Sequence, residues 1–189
     1  MAELELVNGP LEIYWGPVGE TFTAIGASVA GNWVLLGTSG SKNYTEDGVK
    51  ITGDKVTEVW RSLGSPYPRK AHITEADIFV EVNLKDYTLT QLRTGLNQST
   101  VTSDGGGFDW IPLDVGLDVN EIAIQIRGVG KSPLLSGGHI QWNLPRLFEN
   151  GSREWDFVKG EPVGSTLVFQ AIYDEGATYP LGRIVADDT

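Results

Sequence analysis

The chain has 189 residues, no cysteine and a formal net charge of −11. Absence of cysteine excludes a disulfide scaffold, a thiolate nucleophile and cysteine-ligated zinc, and the carboxylate excess argues against gripping nucleic-acid phosphates, which requires Lys and Arg. With 40% hydrophobic and 21% charged residues, it suits one globular domain over 1–189, able to bury roughly two thirds of its unfolded surface. No apolar run approaches the ~20 residues of a membrane helix, and Met1-Ala2-Glu3-Leu4-Glu5 lacks the basic start and apolar stretch of a secretion signal. The expectation is a soluble chain made in the cytoplasm.

Strand signals dominate in chain order. Leu11 to Trp15 and Trp33 to Gly37 come first. Thr38 to Gly48 is too polar to supply core and reads as a long loop between early strands. Lys50–Ile51, continuing through Val56 to Arg61, is the next strand, and Ile73 to Asn83 alternates with a period of two. Ala76, Ile78, Val80 and Val82 point one way; Glu75, Asp77, Glu81 and Asn83 point the other. One short helix follows, with Asp86 or Thr88 as its cap, Leu89, Leu92 and Leu96 as its apolar stripe, and Gly95 or Asn97 at its end.

Thr100 to Gly107, with three consecutive glycines, reads as a second polar loop. In Glu121 to Arg127, Ile122, Ile124 and Ile126 form a β-branched face. His139 to Leu144 sets Ile140, Trp142 and Leu144 opposite His139, Gln141 and Asn143, and Pro145 is expected to stop the ladder for want of a backbone donor. Thr166 to Tyr173 and Leu181 to Val185 complete the set. Gly, Pro, Asn and Ser punctuate the intervals, so the pattern predicts a mainly β, single-domain β-sandwich or partial barrel with one short flanking α-helix.

The candidate chemical motifs are weak. Gly128-Val-Gly-Lys-Ser132 ends like a phosphate-binding loop, but the first glycine of that pattern would fall at Gln125 and Pro133 follows, so a hairpin turn fits better. Asp114, Gly116, Asp118, Asn120 and Glu121 lack the glycine and glutamate spacing of an EF-hand loop and read as a solvated acidic loop. Asp104-Gly-Gly-Gly-Phe-Asp109 is a single, unrepeated calcium candidate. His72 and His139 are the only imidazoles, and no Gly-x-Ser-x-Gly elbow is present. Among 25 acidic residues a carboxylate pair for hydrolysis can always be imagined, but no spacing selects one. Trp60 and Trp142, within alternating strands, are expected in the core, while Trp33, Trp110 and Trp155 border loops, where they suit a sugar-binding face or a protein interface. The expectation is no catalytic residue, no cofactor and no metal.

The run Gly37 to Ile51, then Val56-Thr-Glu-Val-Trp-Arg61, Pro66-Tyr-Pro-Arg-Lys70 and Asp86-Tyr-Thr-Leu-Thr-Gln-Leu92, resembles the major tail tube protein of long-tailed bacteriophages, the siphophage type. Leu167-Val-Phe-Gln-Ala-Ile-Tyr-Asp174 and Tyr179-Pro-Leu-Gly-Arg-Ile184 are similar to the final strands of that family. The resemblance implies a non-enzymatic virion protein, synthesised in the host bacterial cytoplasm, that polymerises as stacked hexameric rings into the tail tube through which DNA is ejected. It further implies contacts with other copies, a tape-measure protein in the lumen, and tail terminator and tail tip proteins, with double-stranded DNA passing transiently and no membrane partner. Residues 38–48 would be the inter-ring loop, with Ser41, Lys42, Asn43, Tyr44, Glu46 and Asp47 as candidate contacts. Residues 1–10 and 177–189 would be inter-subunit arms. On this reading Glu75, Asp77 and Glu81 line the lumen as a surface to which DNA does not stick. A tail terminator or tip ring component is the nearer alternative; a carbohydrate-binding β-sandwich module and a carboxylate-based hydrolase are the others.

Overall fold

The computed structural model describes residues 11–37, 44–64, 66–85, 88–98, 100–113, 117–128, 139–152, 159 and 164–187. In chain order the elements are β1 (Leu11–Pro17), β2 (Val34–Leu35), β3 (Tyr44–Trp60), β4 (Lys70–Leu84), α1 (Leu89–Gly95), β5 (Thr102–Ser103), β6 (Asp109–Trp110), β7 (Glu121–Gly128), β8 (Ile140–Glu149), β9 (Ser165–Ala171) and β10 (Arg183–Ala186). Eight strands form one antiparallel sheet in the order β2-β1-β7-β8-β9-β4-β3, with β10 beside β8, while β5 and β6 pair separately. The sheet ends on β2 and β3 without closing into a barrel.

Period-two alternation builds the core. Ile13 lies opposite Ile126, Trp15 opposite Ile124, and Ile124 opposite Leu144. Val80 faces Phe169 and Val82 faces Leu167 in the other half of the sheet. All are buried in one cluster, which Leu36, Leu84, Ile122, Leu147 and Ala171 complete. Each such side chain contributes about 1.5–3 kcal/mol by leaving water, and cross-strand β-branched and aromatic pairs add to that.

The opposite face divides in two. On β7 and β8 it is polar yet buried, because the segment around Phe22–Ala24 lies over it. Gln141 Nε2 donates to the Thr23 carbonyl (2.9 Å) and to Asn143 Oδ1 (2.8 Å), while the Thr23 amide donates to Gln125 Oε1 (3.2 Å). Trp33 is buried in the same layer, stacked on Phe22 at 5.3 Å and donating to the Thr21 carbonyl at 3.0 Å. Here the sandwich consists of a sheet covered by a loop layer. On β3, β4 and β9 nothing comparable covers the face among the described residues.

Pro145 does not end its strand. Between Ile122 and Ile124 the β7–β8 register shifts, so the pairing resumes at Ile122–Leu147 beyond the proline. On the other side of β8, β10 pairs with Ile140–Asn143 and β9 with Leu147–Glu149, so Pro145 sits where one neighbour gives way to the next and no donor is required. Gly182 leads into β10 with φ +118°; a Cβ there would lie 2.6 Å from the Asn143 carbonyl oxygen.

The expected leucine stripe of α1 also divides. Leu96 is buried and Leu92 half-buried, but Leu89 is 38% exposed. Gln91 takes the inward position instead, donating from Nε2 to the carbonyls of Leu35 (3.2 Å) and Gly37 (2.9 Å) while its Oε1 accepts from the Thr88 amide (2.7 Å). Asn97, at φ +56°, ends the helix: the Gln98 amide reaches back to the Arg93 carbonyl at 2.8 Å, as in a Schellman cap. Arg93 lies 5.0 Å over the Trp15 ring, and burial lowers its pKa from the usual arginine value.

Candidate functional site

The β3–β4 hairpin outgrows the body of the protein. Strands of 17 and 15 residues pair from Tyr44–Leu84 out to Trp60–Lys70, yet residues 53–60 and 70–76 are all exposed. Thr74 is bulged out between the Val56–Glu75 and Thr57–Ile73 pairs. Beyond the bulge, the alternation puts Thr57, Val59, Ala71 and Ile73 on the same side as Ile51 and Val80, so the apolar face of the core continues where none of the described core residues lies beneath it. At the tip the Arg69 amide donates to the Trp60 carbonyl (2.9 Å), and Trp60, Leu63 and Tyr67 are exposed, Trp60 by 56%. Trp60 therefore corrects the expectation of a core tryptophan: the strand that holds it extends past the sheet.

This arm is also basic. Residues 55–73 hold Lys55, Arg61, Arg69 and Lys70 against the one carboxylate of Glu58, a net +3 in a chain of −11. Glu58 meets His72 across the strands at 3.3 Å. β3 is an outermost strand of the sheet, so one edge of its 17 residues has no pairing strand among the described residues. Long uncovered edges are templates for pairing with another chain.

Glu75, Asp77 and Glu81 share one face of β4, as their spacing implies, with Glu75 exposed and the others half-buried. The hairpin adds Asp54 directly opposite Asp77 and Lys50 opposite Glu81. Gln170 Nε2 donates to Asp77 Oδ1 (3.1 Å), and Asn83 Nδ2 to Glu81 Oε1 (3.4 Å). Asp54 could not be matched to Asp77 from sequence, because the register depends on the bulges of the hairpin.

Of the inter-ring loop candidates, Ser41, Lys42 and Asn43 lie outside the described residues. Tyr44, Glu46 and Asp47 belong to β3, whose pairing with β4 begins at Tyr44–Leu84, so they are not in a loop. Residues 1–10 also lie outside the described set. The expected arm at 177–189 is mostly integrated: β10 pairs with β8, and the Asp187 carboxylate accepts from the His139 amide.

The weaker motifs resolve into structure. Asp104 Oδ1 accepts from the amides of Gly106 (2.7 Å) and Phe108 (3.1 Å), with Gly105 and Gly107 at positive φ, so the glycine run forms the turn between β5 and β6. Glu121 is engaged by Arg146 at 2.6 Å. Residues 129–138 lie outside the described set. Among the described residues no group of three or more His, Cys, Asp or Glu could hold a metal, and no helix is long and apolar enough to cross a membrane.

A groove of about 650 Å³ opens between Val18–Phe22 and the 174–183 turn, over Asn143 and Pro145. Glu20 and Asp174 lie in its wall, and its one cation, Arg183, lies 5.0 Å over the Tyr179 ring.

No family model and no curated protein sequence matches the chain. Among solved structures it is similar to a chain in the cryo-EM structure of the anti-feeding prophage baseplate, 6-fold symmetrised, at 9% identity over 97% of each chain with a TM-score of 0.43. That superposition is too loose to carry fold or function from one to the other.

Proposed function

We propose that this chain is a non-catalytic structural subunit of a bacteriophage tail, closing with copies of itself into hexameric rings that stack as the tube for DNA ejection. The observation that carries the reading is the β3–β4 hairpin, a long edge strand and an apolar arm that the described residues leave uncovered. The two ends of the sheet differ, β2 with two residues and β3 with 17, so edge pairing between copies would be head-to-tail. Head-to-tail interfaces generate rings when the rotation closes. The sequence resemblance to the tail tube family supports the same role and supplies the expected neighbours: a tape-measure protein in the lumen, and terminator and tip proteins at the ends.

In the assembled tube, Asp54, Glu75, Asp77 and Glu81 line the lumen. Their field is screened over ~8–10 Å in salt, yet a duplex confined in a channel passes within that reach and meets carboxylates that do not retain it. Negative-stain electron microscopy of the purified protein tests the role. Hollow tubes are expected; single rings would favour a terminator or tip component, and monomers at every concentration would exclude both.

A further inference from the structure

We infer that the tip of the β3–β4 arm docks into the groove between Val18–Phe22 and the 174–183 turn of a second copy of this chain. The inference deepens the assembly role proposed above and rests on it. The arm has two properties that the described residues leave unanswered: exposed apolar side chains at Trp60, Leu63 and Ile73, and a net charge of +3 over residues 55–73. The groove answers both. Its lining is apolar at Val18, Phe22 and Pro145 and carries two carboxylates, Glu20 and Asp174, against the one cation Arg183, which is occupied over the Tyr179 ring. At about 650 Å³ it lies within the size range of sites that enclose a small ligand, enough room for a large aromatic side chain and a neighbour.

Charge selects the partner. With +3 on the arm, the remaining residues carry −14 of the total −11, so a second copy of this chain offers the arm a body of opposite charge. The groove is lined by residues 18–22, 143–145 and 174–183, and none of them comes from the arm. The joint is therefore heterologous, one surface donating and a different one receiving, as in the head-to-tail geometry that builds rings and stacks. Aromatic and arginine anchors entering a pocket are also the usual energetic centre of an interface.

Because the chain has no cysteine, introduced thiols report contact without background. Leu63→Cys and Thr178→Cys chains, co-expressed and oxidised, are expected to give a cross-linked dimer on a non-reducing gel at least tenfold more abundant than Leu63→Cys with Leu113→Cys. Cross-linking no higher than that control, with rings or tubes still visible by microscopy, would overturn the docking and leave the assembly role standing. Monomers alone by microscopy would remove both. Retention of duplex DNA that is lost on replacing Arg61, Arg69 and Lys70 by Gln would make nucleic acid the partner of the arm and likewise overturn the docking.

Discussion

Asp54 and Asp77 stand directly opposite each other across the β3–β4 hairpin, a like-charged cross-strand pair in the middle of the acidic face. Such pairs are destabilising, and only Asp77 receives the Gln170 amide. Asp54→Asn is therefore expected to raise the unfolding free energy by about 0.2–1 kcal/mol. Urea denaturation at low and high salt checks this, with the gain shrinking as salt rises. A loss of stability would mean that the two carboxylates are not a repelling pair.

Gly182 should tolerate no side chain. Its φ of +118° and the 2.6 Å approach of a Cβ to the Asn143 carbonyl both oppose one. Gly182→Ala is expected to cost about 2–4 kcal/mol, because the β10 strand it introduces would have to shift. A thermal unfolding midpoint unchanged from the parent would contradict this packing.

The helix offers a paired test. Gln91→Leu strands two inward carbonyls, Leu35 and Gly37, and is expected to cost about 1–3 kcal/mol. Leu89→Ala, at a position 38% exposed, should change stability by less than about 1 kcal/mol. The reverse order in chemical denaturation would restore the leucine stripe as the buried face.

Tyr14 titrates above the usual tyrosine value of 10.0, first because of burial and then because its hydroxyl donates to Glu12 at 2.9 Å. The fold thus favours the neutral phenol. That stabilisation is complete below the unfolded value and is lost as pH rises from about 10 through the folded value. Tyr14→Phe should therefore lose less stability than the parent between about pH 9 and 11, which denaturation midpoints across that range would report.

What the sequence made legible follows from what alternation encodes. Ile122, Ile124 and Ile126, or Val80 and Val82, reveal a buried face because a period of two needs no tertiary knowledge. Gln125, Gln141 and Asn143 have the pattern of a solvent face, yet they are buried under a loop some hundred residues away in sequence, whose Thr23 backbone satisfies two of them. Trp60 reads as core because it is an aromatic within a strand, yet the strand runs past the sheet and the register puts Trp60 opposite Lys70 on the face of Asp54 and Asp77. Leu89 yields to Gln91 for a similar reason: the carbonyls that make a buried amide worthwhile are 54 and 56 residues upstream. The acidic face was legible at Glu75, Asp77 and Glu81, but its fourth carboxylate required the register.

The assembly role turns on the arm, whose side chains can be changed without touching the core. Val59 and Ile73 are exposed by 49% and 59% on its apolar face. Sedimentation velocity and negative-stain microscopy of the parent and of a Val59→Lys, Ile73→Lys variant, alongside their thermal unfolding, test the role most directly. Rings or tubes from the parent and folded monomers of unchanged unfolding midpoint from the variant are the expected result. Assembly of the variant indistinguishable from the parent, or a parent that stays monomeric at every concentration, would contradict it.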